Sequence, residues 1–129
     1  MMSKEKCPCC SDKTFLDCCQ PFILGLKKPS TPEELMRSRY SAYATCEVDY
    51  LYNTTATKEQ KYYSKKEIER WASENDWLKL EIIQASVNNV EFKATHRLKS
   101  SLDIQIHHEF SRFIQEGNDW KYLDGEFFE

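Results

Sequence analysis

Five of the six cysteines fall within the first 19 residues, as Cys7, Cys9 and Cys10 and then, with eight residues between it and Cys9, the pair Cys18-Cys19. A segment this short cannot bury enough apolar surface to fold alone, so it needs a cross-link or a metal. The opening run from Met1 to Lys6 lacks the apolar stretch of a secretory signal, so, taken as the full chain, the protein is expected to stay in a reducing compartment, the cytoplasm. There thiols stay reduced, and clustered cysteines hold metal rather than pair with one another. Cys7 and Cys9 project to the same side of an extended strand, so both reach one ion. Cys18 and Cys19 are adjacent, so the backbone must turn sharply for both to ligate. Cys10 opens a competing Cys7-x-x-Cys10 register in which it takes the place of Cys9.

Zinc suits this donor set, with four ligands in a tetrahedron and Zn–S near ~2.3 Å. Lys4, Lys6 and Lys13 can offset the net negative charge of four thiolates around one divalent ion. Phe15 and Leu16 are expected to cover the site and keep water out. Four cysteines close the coordination sphere, so the ion is structural, with no place for a reacting water. Residues 1–25 then form a zinc knuckle and residues 30–129 a separate domain, and metal removal is expected to unfold the first and leave the second folded.

Gly25, Pro29 and Pro32 mark the linker between them. Thr31 reads as an N-cap, with Pro32 at the first helical position and Glu34 completing a capping box. In the helix that follows, Leu35, Met36, Tyr40 and Tyr43 fall near helical spacing and should face inward. A short helix is expected over Val48 to Asn53, and Ser64 with Glu67 opens another through Ile68, Trp71 and Ala72. After Asn75 the period becomes two, with Leu78, Leu80 and Ile82 on one strand face. Asn88-Asn89 suggests a tight turn with positive φ. Val90, Phe92 and Ala94 share the next face, and Leu102, Ile104, Ile106, His108 and Phe110 the one after. Glu116 to Asp119 turns the chain into a last strand marked by Trp120 and Tyr122. Helices first and consecutive antiparallel strands after them give an α+β fold.

Composition closes off other classes. Aromatics at 13% and hydrophobics at 40% exclude a disordered chain. A net charge of −3 argues against a nucleic-acid binder. The sequence has no run of apolar residues long enough to span a membrane.

Three side chains are candidates for chemistry. His108, on an otherwise apolar face, reads either as a general base or as a core histidine satisfied by a neighbour. Arg112 and Tyr40 could polarise or orient a ligand. Arg37, Arg39 and Arg112 could hold an anion, or pair with Glu109, Glu34 or Asp49. Glu109 and His107 point away from His108 on a regular strand, His107 toward solvent, and His96 carries no signal alone. Cys46 has no base near it in sequence.

The run from Cys7 to Cys19 resembles the SEC-C motif, named for the tail of the SecA translocation motor. That resemblance implies zinc on Cys7, Cys9, Cys18 and Cys19. The motif has Gly-Ser-Gly after its second cysteine, where this chain has Cys10-Ser11-Asp12. The stretches Pro32 to Tyr43, Asp49-Tyr50-Leu51, Trp77-Leu78, His108-Glu109, Ser111-Arg112-Phe113, Trp120-Lys121-Tyr122 and Asp124-Gly125 resemble the YchJ family of bacterial proteins, across nearly the whole chain. Members commonly carry a His-Pro pair after the second helix, where this chain has Asn53 to Thr57. The resemblance implies a cystatin-like cone of the nuclear-transport-factor kind, with helices packed on a curved antiparallel sheet and a pocket between them. The cone serves isomerases and dehydratases as well as binding and dimerisation modules. The expectation is a binding or adaptor protein, its knuckle docking a protein partner and its cone taking a small ligand or a second copy. The alternative is an enzyme using the pocket, with His108 as base.

Overall fold

The computed structural model describes residues 5–128. A short helix α1 (Gln20–Ile23) ends the cysteine segment, and three helices follow: α2 (Pro32–Ala44), α3 (Val48–Asn53) and α4 (Lys65–Ser73). A 3-10 turn, Thr57–Tyr62, lies between α3 and α4. Four strands complete the chain: β1 (Asn75–Ala85), β2 (Asn89–Leu98), β3 (Ile104–Glu116) and β4 (Asp119–Phe128). They form one antiparallel meander in the order β1-β2-β3-β4.

Local chemistry sets the helix starts. Thr31 Oγ1 accepts from Glu34 N, and the Glu34 carboxylate reaches back to Ser30 N rather than to the cap residue itself. Ser64 Oγ accepts from Glu67 N and opens α4 in the same way. The end of α2 is a Schellman closure, in which Cys46 N donates to Tyr43 O and Glu47 N to Ala42 O. Cys46 holds the left-handed position there, with φ 58°.

Helix α2 is buried on nearly every side. Leu35, Met36 and Tyr40 pack on the sheet and the cysteine segment, and Ala42 belongs to a second cluster with Leu51 and Ile68. Its buried polar groups are satisfied locally: Ser38 Oγ donates to Leu35 O, and Arg39 donates to Leu51 O and Thr54 Oγ1. The main core runs without a break from Cys7, Cys9, Phe15 and Cys19 through α2 to Leu80, Val90, Phe92 and Phe113.

Three strand expectations need correction. In β1 the register shifts between Trp77 and Lys79, so Trp77 and Leu80 both face the helices and Leu78 turns out to solvent. One extra residue reverses the alternation on its far side. In β3 the apolar-looking set is the outer one: Ile104 and Ile106 are exposed, while Glu109, Ser111 and Phe113 face the helices. A sheet with one face on a core need not give that face the greater count of aliphatic residues when a polar pocket lies there. Leu102 lies before the strand, at φ 63°. At the first hairpin neither asparagine takes a positive φ; a longer connection between Ala85 and Asn89 makes the turn.

Candidate metal centre and ligand pocket

The Sγ atoms of Cys7, Cys9, Cys18 and Cys19 all lie within 4.8 Å of one another. A tetrahedron with arms of ~2.3 Å has edges of about 3.8 Å. The contacts Cys9–Cys18 at 3.6 Å and Cys18–Cys19 at 3.8 Å match that edge, so the four residues fit a tetrahedral metal. Cys10 is not among them; its thiol turns to Pro8 O and to Leu80 N in β1. The loop is a tight one: Cys10 N donates to Cys7 O, and Cys7 N to Lys13 O. Cys10 and Asp12 stand at φ 67° and 70°, the two positions where the SEC-C pattern has glycine.

Around the cluster, Ser11 Oγ lies 3.1 Å from Cys18 Sγ, Ser41 Oγ 3.3 Å from Cys7 Sγ, and Arg37 donates to Cys9 O at 2.8 Å. The sulfurs bias one another's protons. Hydrogen bonds from Cys19 and Cys7 hold Cys9 well below the ordinary thiol range. Hydrogen bonding with Cys7 and Cys9, then burial, push Cys19 up, and burial pushes Cys18 up to about 11. Phe15 covers the site as expected, but Leu16 is exposed. Lys6 pairs with Asp12 at the surface, and Lys4 lies outside the described residues.

The second feature is a cavity of about 210 Å³ between α2, α4 and the sheet. Trp71, Trp77, Phe92 and Phe127 line its apolar part. Polar groups converge on the rest: Arg39, Tyr43, Tyr63, His107, Glu109 and Tyr122. Glu109 is 5% exposed and accepts three hydrogen bonds, from His107 Nε2 at 2.7 Å, Ser111 Oγ at 2.6 Å and Tyr122 Oη at 2.7 Å. Burial pushes the Glu109 carboxyl up, but the donors from His107, Ser111 and Tyr122 outweigh it, and the group is held below its ordinary value. Gly125 on β4 makes room for it, because a Cβ there would sit 2.1 Å from Glu109 Oε2. Burial and the neighbouring Glu109 charge push the Tyr122 hydroxyl up, keeping it a donor.

His108 sits on the opposite face of the sheet, bonded to Glu91 at 2.7 Å and stacked on Phe128. Arg112 shares that face and pairs with Asp124 and Glu126. Tyr40 does line the cavity, and burial pushes its hydroxyl up. Arg37 pairs with Glu33, and Arg39 lies over the Tyr122 ring, so neither takes the acids expected from sequence. His96 is buried, bonded through Nδ1 to Asn75 and packed against Trp71 and Trp77, where it props the cavity wall. His107 and Glu109 were legible as sharing a face; what hid their role was the assignment of that face to solvent.

Comparisons with known proteins agree with this architecture. A family model described as "YchJ, middle NTF2-like domain" matches residues 31–125. A UPF0225 protein of Geobacter sulfurreducens is 34% identical over 92% of this chain and 77% of its own length. One of Photorhabdus laumondii is 38% identical over 94% and 80%. The solution structure of a SEC-C motif containing protein from Rhodopseudomonas palustris superposes with a TM-score of 0.85 at 34% identity, covering 95% of this chain and 98% of that one. The crystal structure of a SEC-C motif containing protein from Psychrobacter arcticus gives 0.82 at 34%, covering 95% and 82%. With its four-cysteine cluster set against an NTF2-like cone, the chain belongs to the YchJ-like UPF0225 family of SEC-C motif proteins.

Proposed function

We propose that the protein is a cytoplasmic binding or adaptor module, in which a structural zinc ion on Cys7, Cys9, Cys18 and Cys19 shapes a partner-docking knuckle and the cone takes a small ligand. The observation that carries the metal reading is the convergence of the four sulfurs within 4.8 Å of one another, with Cys9–Cys18 and Cys18–Cys19 at tetrahedral edge length. A bound ion supplies a cross-link between the two ends of the cysteine loop and offers no open position for chemistry. Clustered cysteines that hold a metal rather than pair with one another suit a reducing compartment, which supports the cytoplasm. No described helix is long and apolar enough to cross a membrane. Exposed Leu16, Leu24 and Leu26 beside the knuckle support a protein partner there. Exposed Ile104 and Ile106 on the outer sheet face support a second copy of the chain as a further partner.

A cavity of this size, smaller than the roughly 300–1,000 Å³ of drug-sized sites, suits a compact ligand with an apolar body and one polar end. Elemental analysis of protein purified without a metal-binding tag tests the metal reading. About one zinc per chain is expected, lost on Cys9→Ser and kept on Cys10→Ser. Zinc-free protein, or a zinc content that follows Cys10, refutes it. The enzyme reading with His108 as base finds no support in its surroundings, since the cavity lies on the other side of the sheet.

A further inference from the structure

Glu109 is the one carboxylate among the residues lining the cavity, and it binds a histidine through one nitrogen only. The Glu109 carboxylate is ionised at neutral pH and accepts the Nε2 proton of His107, so in the neutral tautomer of that ring the lone pair is on Nδ1. Nδ1 has no hydrogen-bond partner among the described residues, and the ring, between Phe92 and Phe127, lines the cavity. Ser111 and Tyr122 fix the far side of the carboxylate, and the missing Cβ of Gly125 gives it its seat. A base, an acid that orients it, and side chains that orient the acid form the chain of support that proton transfer needs.

Arg39 supplies the complementary group. It is 7% exposed and donates through one terminal nitrogen to Leu51 O and Thr54 Oγ1. Its Nε and second terminal nitrogen donate to no described residue, and no described carboxylate pairs with it. A buried guanidinium with a free edge at a cavity wall is a receptor for oxygen that is, or becomes, negative. Tyr43 and Tyr63 line the same cavity, and burial pushes both hydroxyls up, so they stay protonated donors.

Resting on the reading that the cavity takes a small ligand, we propose that this ligand is a carbonyl compound with an acidic C–H beside the carbonyl, that Arg39 faces its oxygen, and that His107 Nδ1 takes the proton. The C–H bond breaks and its electron pair forms a carbon–carbon double bond. The carbonyl π pair moves to oxygen, giving an enolate against Arg39, and the proton rests on an imidazolium paired with Glu109. Return of the proton to the same carbon completes exchange, and in a β,γ-unsaturated compound its return to the γ carbon completes isomerisation, with no oxidant, reductant or cofactor consumed. His107 is the catalytic base and Glu109 the positioning residue.

The full-length protein is tested with two probes, 2-tetralone, whose α-hydrogens are followed by proton NMR as they exchange in D₂O, and 5-nitrobenzisoxazole, whose base-driven ring opening is followed by absorbance. Trp71 and Trp77 line the cavity, so quenching of tryptophan fluorescence reports binding separately. The expected result is turnover about 100-fold faster than with His107→Phe. Glu109→Gln is expected to slow turnover about 10-fold while binding of either probe stays as in the native chain. His108→Ala, on the other sheet face, is expected to react as the native chain does. Binding without turnover above the His107→Phe level overturns the proton acceptor and leaves the ligand pocket standing. Absence of both binding and turnover overturns the two together.

Discussion

Glu109 carries its charge almost out of reach of water, and three short hydrogen bonds hold it there. Its folded-state affinity for a proton lies below the ordinary one of 4.5, so its ionised form contributes stability above that pH and loses it as pH falls through the depressed value. The stability gap between the native chain and Glu109→Gln is therefore expected to be about 2 kcal/mol near neutrality and to close in acid, read by urea denaturation at several pH values. A gap that widens in acid contradicts the assignment. Cys10 poses the opposite case, a residue at odds with its backbone. At φ 67° a side chain costs about 1–2 kcal/mol, which glycine removes at an entropic cost of about 0.5–1. Cys10→Gly is thus expected to raise stability by up to about 1 kcal/mol without loss of metal, measured by thermal unfolding and elemental analysis.

Helix α2 is the element on which the others converge, since it touches the cysteine cluster through Ser41 and Arg37 and the cavity through Met36, Arg39, Tyr40 and Tyr43. Its capping was readable because the Thr31 hydroxyl and the Glu34 amide are three residues apart. Thr31→Ala is expected to cost about 1 kcal/mol, seen as a lower denaturation midpoint with unchanged slope. The strands were less readable. Period two fixes which residues share a face but not which face is inward, and the β1 shift at Trp77 to Lys79 resets the count midway. In β3 the aliphatic residues lie outside and the acid, serine and histidine inside. Hydropathy alone assigns that strand the wrong way round.

For the molecule as a whole, the question is whether knuckle and cone are one cooperative unit. Cys7, Cys9, Phe15 and Cys19 share a packed core with Leu35, Met36, Tyr40, Leu80 and Phe92. With the proposed zinc bound, its removal is therefore expected to shift the unfolding of the entire protein to lower temperature in a single transition, rather than to melt residues 1–25 alone. Circular dichroism and tryptophan fluorescence, followed together through chelation, check this. Coincident curves agree with one unit, whereas an unchanged cone transition after metal loss means that the two parts are independent.

Residue types and short spacings were enough to find the cysteine cluster, the caps of α2 and α4 and the order of helices before strands, because each depends on neighbours in the chain, while the nuclear-transport-factor cone was implied by the family resemblance spread along it. Folding alone decided that Cys9 and not Cys10 joins the cluster, that His107 and not His108 faces the cavity, and that Arg39 keeps a free edge there. Those outcomes turn on a left-handed residue, the inward or outward sense of a strand and contacts between distant segments, none of which is written in local sequence.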